Sequence, residues 1–189
     1  MDSGGSSWFW FQQDETPGWA TEIDVFEIGG KAKGFEHKYH MTLHVSGTPT
    51  EKKHWSVGGV WVAPWRLADD YHVYGFDWGK HELKFYVDGV LVRSVQNTHW
   101  HQPLFLIFDS ETMPQWFGMP DDKDLPSTFS IEYARAWKRE GKEPSKPASA
   151  DTTINFPKID RHRPTAGSDC LVIPLPPFSV RPGGGHYGV

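Results

Sequence analysis

The run TEIDVFEIGG at residues 21–30 sets three carboxylates, Glu22, Asp24 and Glu27, into an otherwise apolar stretch of strand length and strand composition. Ionised side chains are costly to bury, so all three must face something polar. Alternation along a strand puts Glu22 and Asp24 on one face and, at an offset of five, sends Glu27 to the other. One β-bulge between Asp24 and Glu27 adds a residue and returns Glu27 to their side. The run therefore predicts a bulged strand that lines a cleft with three acids. The alternative is an edge strand that carries three unrelated acids to solvent.

On either side of this strand the chain keeps the same rhythm. From Ser6 to about Lys138, short apolar or alternating runs are separated by Gly, Pro, Asp and Asn: SSWFWF, YHMTLHV, WSVGGVWV, YHVYGFDW, ELKFYVDGVLVRSV, PLFLIF and TFSIEYARAW. None has the period of a long amphipathic helix, and the spacing predicts an all-β sandwich. The clearest local signal is Asp88-Gly89, a two-residue hairpin turn that needs positive φ between two alternating segments. Leu83, Phe85 and Val87 then share one face, with Lys84 and Tyr86 on the other. Beyond Glu140 the last 49 residues hold eight of the fifteen prolines and end in PGGGHYGV, the composition of a tail. The expected organisation is a domain over 1–140 and a Pro/Gly-rich tail over 141–189, with short strands conceivable at TTINF and LVIPL.

Composition narrows the function. Nineteen basic and twenty-four acidic residues give a net charge of -5 with no block of like charge, so no nucleic-acid partner is expected. Ten Trp within 15% aromatic content exceed what a modest aliphatic core requires. Indole faces stack on the C–H face of pyranose rings and leave the sugar hydroxyls to polar groups; a wide aromatic core is the other use for them. The single cysteine, Cys170, excludes an internal disulfide and a Cys-based zinc site. No run of eighteen apolar residues is present, so no membrane span is expected. The start MDSGGSSWFWF lacks the pattern of a secretory signal, and the chain as written is read as cytoplasmic.

Two carboxyl groups about 5 Å apart suit retaining glycoside hydrolysis, in which one attacks the anomeric carbon and the other first protonates the leaving oxygen. Asp24, between them, can hydrogen-bond Glu22 and fix its orientation. Its charge is also expected to raise neighbouring carboxyls, keeping Glu27 protonated near neutral pH.

EIDVFE resembles the E-I-D-x-x-E motif of glycoside hydrolase family 16, in its bulged-strand subgroup. SSWFWF followed by a loop and Trp19 resembles the aromatic strand that leads into the family's catalytic strand. YHVYGFDWGKHELKFYVDG resembles its strand-turn-strand segment, and PLFLIFDSE and FSIEYARAW resemble its last strands. The resemblance covers residues from about 5 to 139. It implies a concanavalin A-like β-jelly roll of two curved antiparallel sheets, with the catalytic strand on the concave face. By position it implies Glu22 as nucleophile, Asp24 as the assisting acid and Glu27 as the acid/base. It also implies that a secreted or periplasmic protein is the family norm. Several strands that family domains carry before the SSWFWF position are missing, which predicts unpaired edges and uncovered apolar faces.

Around the acids, Trp10, Trp19 and Trp116 are the candidate stacking platforms, and His44 is a candidate sugar contact because family members place a polar residue on the strand after the catalytic one. A metal site at His37, His40 and His44 is a weaker idea, since the spacing matches no zinc motif. No metal and no cofactor are expected, with a structural calcium left open. Trp78 and Trp137 are read as core, and His99-Trp100-His101 as loop or rim. The stretch FDSETMPQWFG stands where β-1,3-glucanases usually carry a Gly- and Trp-rich segment, and so favours hydrolases of algal galactans such as agar, porphyran and carrageenan. For a sulfated polymer Lys31, Lys33 and Lys38 are the cations to consider. A β-1,3-glucanase, a non-catalytic carbohydrate-binding jelly roll and an inactive truncated relic are the competing readings.

Overall fold

The computed structural model describes residues 5–12 and 17–141 together with three short strand segments further on, 152–153, 171–173 and 178–179. Eight strands follow one another in the order the sequence predicts: β1 (Gly5–Gln12), β2 (Ala20–Ile28), β3 (Lys38–Gly47), β4 (Trp55–Val62), β5 (Tyr74–Trp78), β6 (Glu82–Val87), β7 (Val90–Gln96) and β8 (Phe105–Thr112). Short pieces complete the set: β9 (Thr128–Phe129), β10 (Ala134–Ala136), β11 (Thr152–Thr153), β12 (Leu171–Ile173) and β13 (Phe178–Ser179). Among the described residues no helix is long and apolar enough to cross a membrane.

The strands form an antiparallel five-stranded sheet in the order β4-β3-β2-β1-β8 and a second antiparallel sheet in the order β11-β7-β6-β5. Alternation decides what each face carries. Ile23, Tyr39, Met41, Leu43, Val45 and Trp61 of the first sheet meet Leu83, Phe85, Val87, Val92 and Val95 of the second in one buried cluster. That is the expected sandwich, with the opposite face of the first sheet left for the polar residues of β2 and β3. At the β6–β7 turn Asp88 has φ +50° and Gly89 φ +80°, the twist a two-residue hairpin needs. The Asp88 carboxylate is not idle there. It accepts from the Val73 backbone N–H at 2.9 Å and pairs with His72 Nδ1 at 2.8 Å, which ties the turn to the segment leading into β5.

Two expectations need correcting. TFSIEYARAW is not one strand: only β9 and β10 form within it, where β13 and β12 supply neighbours, because an extended segment without a ladder partner has nothing to satisfy its backbone. Trp137 is 60% exposed and not part of the core, lying just past the last paired residue of β10. His99-Trp100-His101 is loop, the first of its two readings, but Trp100 turns inward from it and is buried, 1% exposed, in the sandwich core. The tail contributes β11 to the edge of β7 through Thr152 and Thr153, and both β11 and β12 fall in the stretches marked as conceivable strands. The outermost strands of the first sheet, β4 and β8, carry exposed Val60, Val62, Phe105 and Leu106.

Candidate functional site

Strand β2 reads in register against both neighbours except at one place. On the β3 side Glu22 faces His44, Asp24 faces Thr42 and Glu27 faces His40, so three residues of β2 span what two steps of β3 span. On the β1 side Trp10 faces Asp24 and Phe9 faces Phe26. Val25 has no partner in either ladder and is the extra residue of the bulge that the five-residue offset demanded. Glu22, Asp24 and Glu27 thereby come to the same side of the sheet as His44, Thr42 and His40.

Each carboxylate has its own support. Glu27 accepts a hydrogen bond from Thr42 Oγ1 at 2.5 Å. Asp24, 2% exposed, lies 3.1 Å from His44 Nε2. Burial holds the Asp24 carboxyl well above the usual range, the Glu27 charge adds to that, and a hydrogen bond with Glu22 works the other way. Glu22 is pushed up to about 8, by burial first and then by the charge of Asp24 and their shared hydrogen bond, against the opposing pull of His44. The two acids thus hold a proton between them. His40 sits beneath Glu27 with Nδ1 3.2 Å from the Glu27 carbonyl oxygen, and because a carbonyl only accepts, that nitrogen carries the proton. Burial lowers the His40 pKa and keeps its ring neutral.

Two of the proposed platforms flank this row. Trp116 is half-buried, with its ring 5.0 Å from that of His40 and stacked on Phe117 at 4.3 Å, beside the Glu27 end. Gly29 makes room for that aromatic pair, since a Cβ there would stand 2.6 Å from Phe117 Cδ1. Trp19, also half-buried, precedes β2 at the Glu22 end and lines a shallow groove with Pro17, Ser46, Thr48 and Lys52. Trp10 faces Asp24 across the ladder, but its side chain lies outside the described residues. His44 is in the site, though held by Asp24, and its ring stacks parallel to that of His54 at 6.1 Å.

The three-histidine metal idea does not survive. His37 Nδ1 meets the Ala63 carbonyl and His40 Nδ1 the Glu27 carbonyl, so the rings are turned to different partners. Among the described residues the donor atoms that do converge are those of Glu22, Asp24 and His44, within 4.8 Å of one another. Two of these, Glu22 and Asp24, are hydrogen-bonded to each other. Lys31 and Lys33 are exposed in the turn after β2, while Lys38 shares the alternation of His40 on β3 and sets its ammonium 4.7 Å from the centre of the Phe35 ring.

The sequence reading passed over two side chains that build the site from below. Trp100 Nε1 donates to the carbonyl oxygens of Glu22 at 3.0 Å and His44 at 3.1 Å, joining β2 to β3 at the first carboxylate. It is fixed in turn by Asn97, whose side chain binds both its N–H and its carbonyl, and by Trp78 Nε1 at 2.7 Å. Tyr39 donates its hydroxyl to the carbonyl of the bulge residue Val25 at 2.6 Å. Neither partner is near in sequence, so no local pattern announces the bond.

The family model for Glycosyl hydrolases family 16 matches residues 1–119 of this chain. Glucan endo-1,3-beta-glucosidase A1 of Niallia circulans is 30% identical over 142 residues, which cover 65% of this chain and 20% of that protein. Kappa-carrageenase of Pseudoalteromonas carrageenovora is 26% identical over 151 residues, covering 71% of this chain and 38% of that one. The chain therefore spans well under half the length of these relatives. Among solved structures, a glycoside hydrolase family 16 endo-glucanase from Bacteroides ovatus superposes with a TM-score of 0.53 at 23% identity, over 65% of this chain and 55% of that one, a likeness of fold.

Proposed function

We infer the reaction from the premise that this chain belongs to glycosyl hydrolases family 16. We propose that it is a retaining endo-β-glycosidase of a polysaccharide, with Glu22 as nucleophile, Asp24 as its helper and Glu27 as general acid and base. The observation that carries the reading is the bulge at Val25, which brings three carboxylates of one strand to a single face. A pure binding module has no use for a bulge that gathers three like charges.

In the first displacement a Glu22 carboxylate oxygen attacks the anomeric carbon as the bond to the leaving sugar breaks, and that leaving oxygen takes the proton of Glu27. Water then attacks the same carbon, Glu27 takes its proton, and the bond to Glu22 breaks. Glu22 must be ionised to attack. Attack therefore uses the form in which the proton the pair retains has passed to Asp24. Thr42 orients Glu27, and His44 orients Asp24. Trp19 and Trp116 offer ring faces for sugars on either side of the reacting bond.

For substrate we propose a galactan of the agar, porphyran or carrageenan type. The acidic, Trp-bearing run from Asp109 to Trp116 supports this, since it sets Trp116 against His40, and so does the likeness to a kappa-carrageenase. The 30% identical glucanase favours β-1,3-glucan as the second reading. Purified protein assayed for reducing ends on agarose, porphyran, κ-carrageenan and laminarin decides among them, with Glu22→Gln as control. Release from a galactan that vanishes in the variant is the expected result. Release from laminarin alone selects the glucan, and a folded protein that releases nothing overturns the hydrolase reading.

A further inference from the structure

The bulge is the device on which the site depends, yet a bulge is a weakly fixed thing. Without it the alternation past Val25 reverses and Glu27 turns toward the core, and sliding it by one residue brings a buried neighbour, Val25 or Phe26, out toward the cleft. Part of what holds it is the cost of burying a carboxylate. A further hold comes through the backbone of Val25, the residue without a partner in either register. Its carbonyl points to the dry side of the sheet, where water is absent and an unmet acceptor costs about 1–3 kcal/mol.

Tyr39 meets that carbonyl. It lies on β3 beside His40 but faces the opposite way, is 0% exposed, and reaches Val25 O with its hydroxyl at 2.6 Å. Burial holds the phenol far above its ordinary pKa, so it stays a donor. The ring is itself wedged against Tyr74, with centroids 5.5 Å apart. The hydroxyl therefore approaches from a fixed direction.

We propose that Tyr39 is a positioning residue for catalysis: its hydroxyl latches the Val25 carbonyl from within the core and so fixes the bulge that aims Glu27. The proposal rests on the hydrolase reading for its catalytic half, and on the structure alone for the latch. Tyr39→Phe keeps the ring and removes the bond. With the bulge loosened, Glu27 loses its aim while the rest of the cleft is intact, and a displacement of about 1 Å at a reacting group costs about 10²-fold.

The test compares Tyr39→Phe with Asp88→Ala, a turn variant between β6 and β7 that lowers stability by releasing Val73 and His72, neither of them on β2 or β3. Two substrates are used: the natural polymer, whose leaving sugar needs a proton, and a dinitrophenyl oligoside, whose leaving group does not. Hydrogen exchange over residues 22–28 reads the latch independently of turnover. Expected for Tyr39→Phe are faster exchange in that segment, a fall of about 10- to 100-fold in kcat on the polymer with KM within about twofold, and a much smaller fall on the aryl substrate. Asp88→Ala should change neither the exchange of 22–28 nor the ratio of the two rates. Faster exchange in a chain whose wild type cleaves neither substrate upholds the latch and removes the hydrolase reading. Unchanged exchange, or equal losses on the two substrates, overturns the proposal.

Discussion

Removing the charge of Glu22 should stabilise the fold, by an amount that grows with pH. In the native chain the Glu22 carboxyl titrates at about 8 instead of the usual 4.5, because it is partly buried beside Asp24. Between those two values the native chain keeps a proton that the unfolded chain has released, so stability falls as pH rises through the window. At about 1.4 kcal/mol per pH unit, full retention across the roughly 3.5 units between 4.5 and about 8 would amount to about 5 kcal/mol. Partial solvation of the side chain and the sharing of the proton with Asp24 reduce the observable part to about 2 kcal/mol. Glu22→Gln removes this penalty. Urea melts of both proteins from pH 4.5 to 9 read it, and the quantity to plot is the difference between them. His40, whose lowered pKa adds an opposite slope below its ordinary 6.5, acts in both proteins and largely cancels. The variant should match the wild type near pH 4.5 and exceed it increasingly up to pH 8. A constant offset, or an advantage that shrinks with pH, would refute the reasoning that the two acids share a retained proton.

Other perturbations probe the frame around the acids. Trp100→Phe leaves the Glu22 and His44 carbonyls without their indole donor and should cost about 1–3 kcal/mol in urea melts, with a loss of kcat on the cleaved polymer. Gly59→Ala should be comparably destabilising, by about 1–3 kcal/mol, because its Cβ would fall 2.7 Å from Nε of Arg93, a buried side chain that also donates to the Met41 carbonyl at 2.6 Å. Asp88→Ala removes the acceptor for the Val73 N–H and His72 while leaving a side chain at φ +50°, and a loss of about 2 kcal/mol in the same melts is expected, without a change in KM.

Much of this architecture is written locally. Asp88-Gly89 announces its turn because few residue pairs accept two positive φ values in succession, and the bulge in β2 follows from an offset of five in a chain whose period is two. What stays hidden is whatever depends on partners distant in sequence. Trp100 sits in an unremarkable His-Trp-His run, and only the closed sandwich shows that its N–H ends 78 residues away on Glu22. Tyr39 is one aromatic among many in a strand, and nothing near it says that its hydroxyl is bound. The same blindness works in reverse for Trp137, whose apolar run looks like core but continues past the last paired strand. The family resemblance marked His44 as a candidate sugar contact, but nothing in the sequence marks it as the partner of Asp24.

The central claim is that the bulged strand presents Glu22 to the anomeric carbon. Incubation with dinitrophenyl 2-deoxy-2-fluoro oligosides, one of galactan and one of glucan type, tests it most directly, since the fluorine slows the second displacement and leaves any covalent intermediate to accumulate. Intact mass and peptide mapping should show one glycosyl group added, on Glu22, and none in Glu22→Gln. An adduct on Asp24 or Glu27, or turnover of either oligoside with no adduct at all, would contradict the assignment.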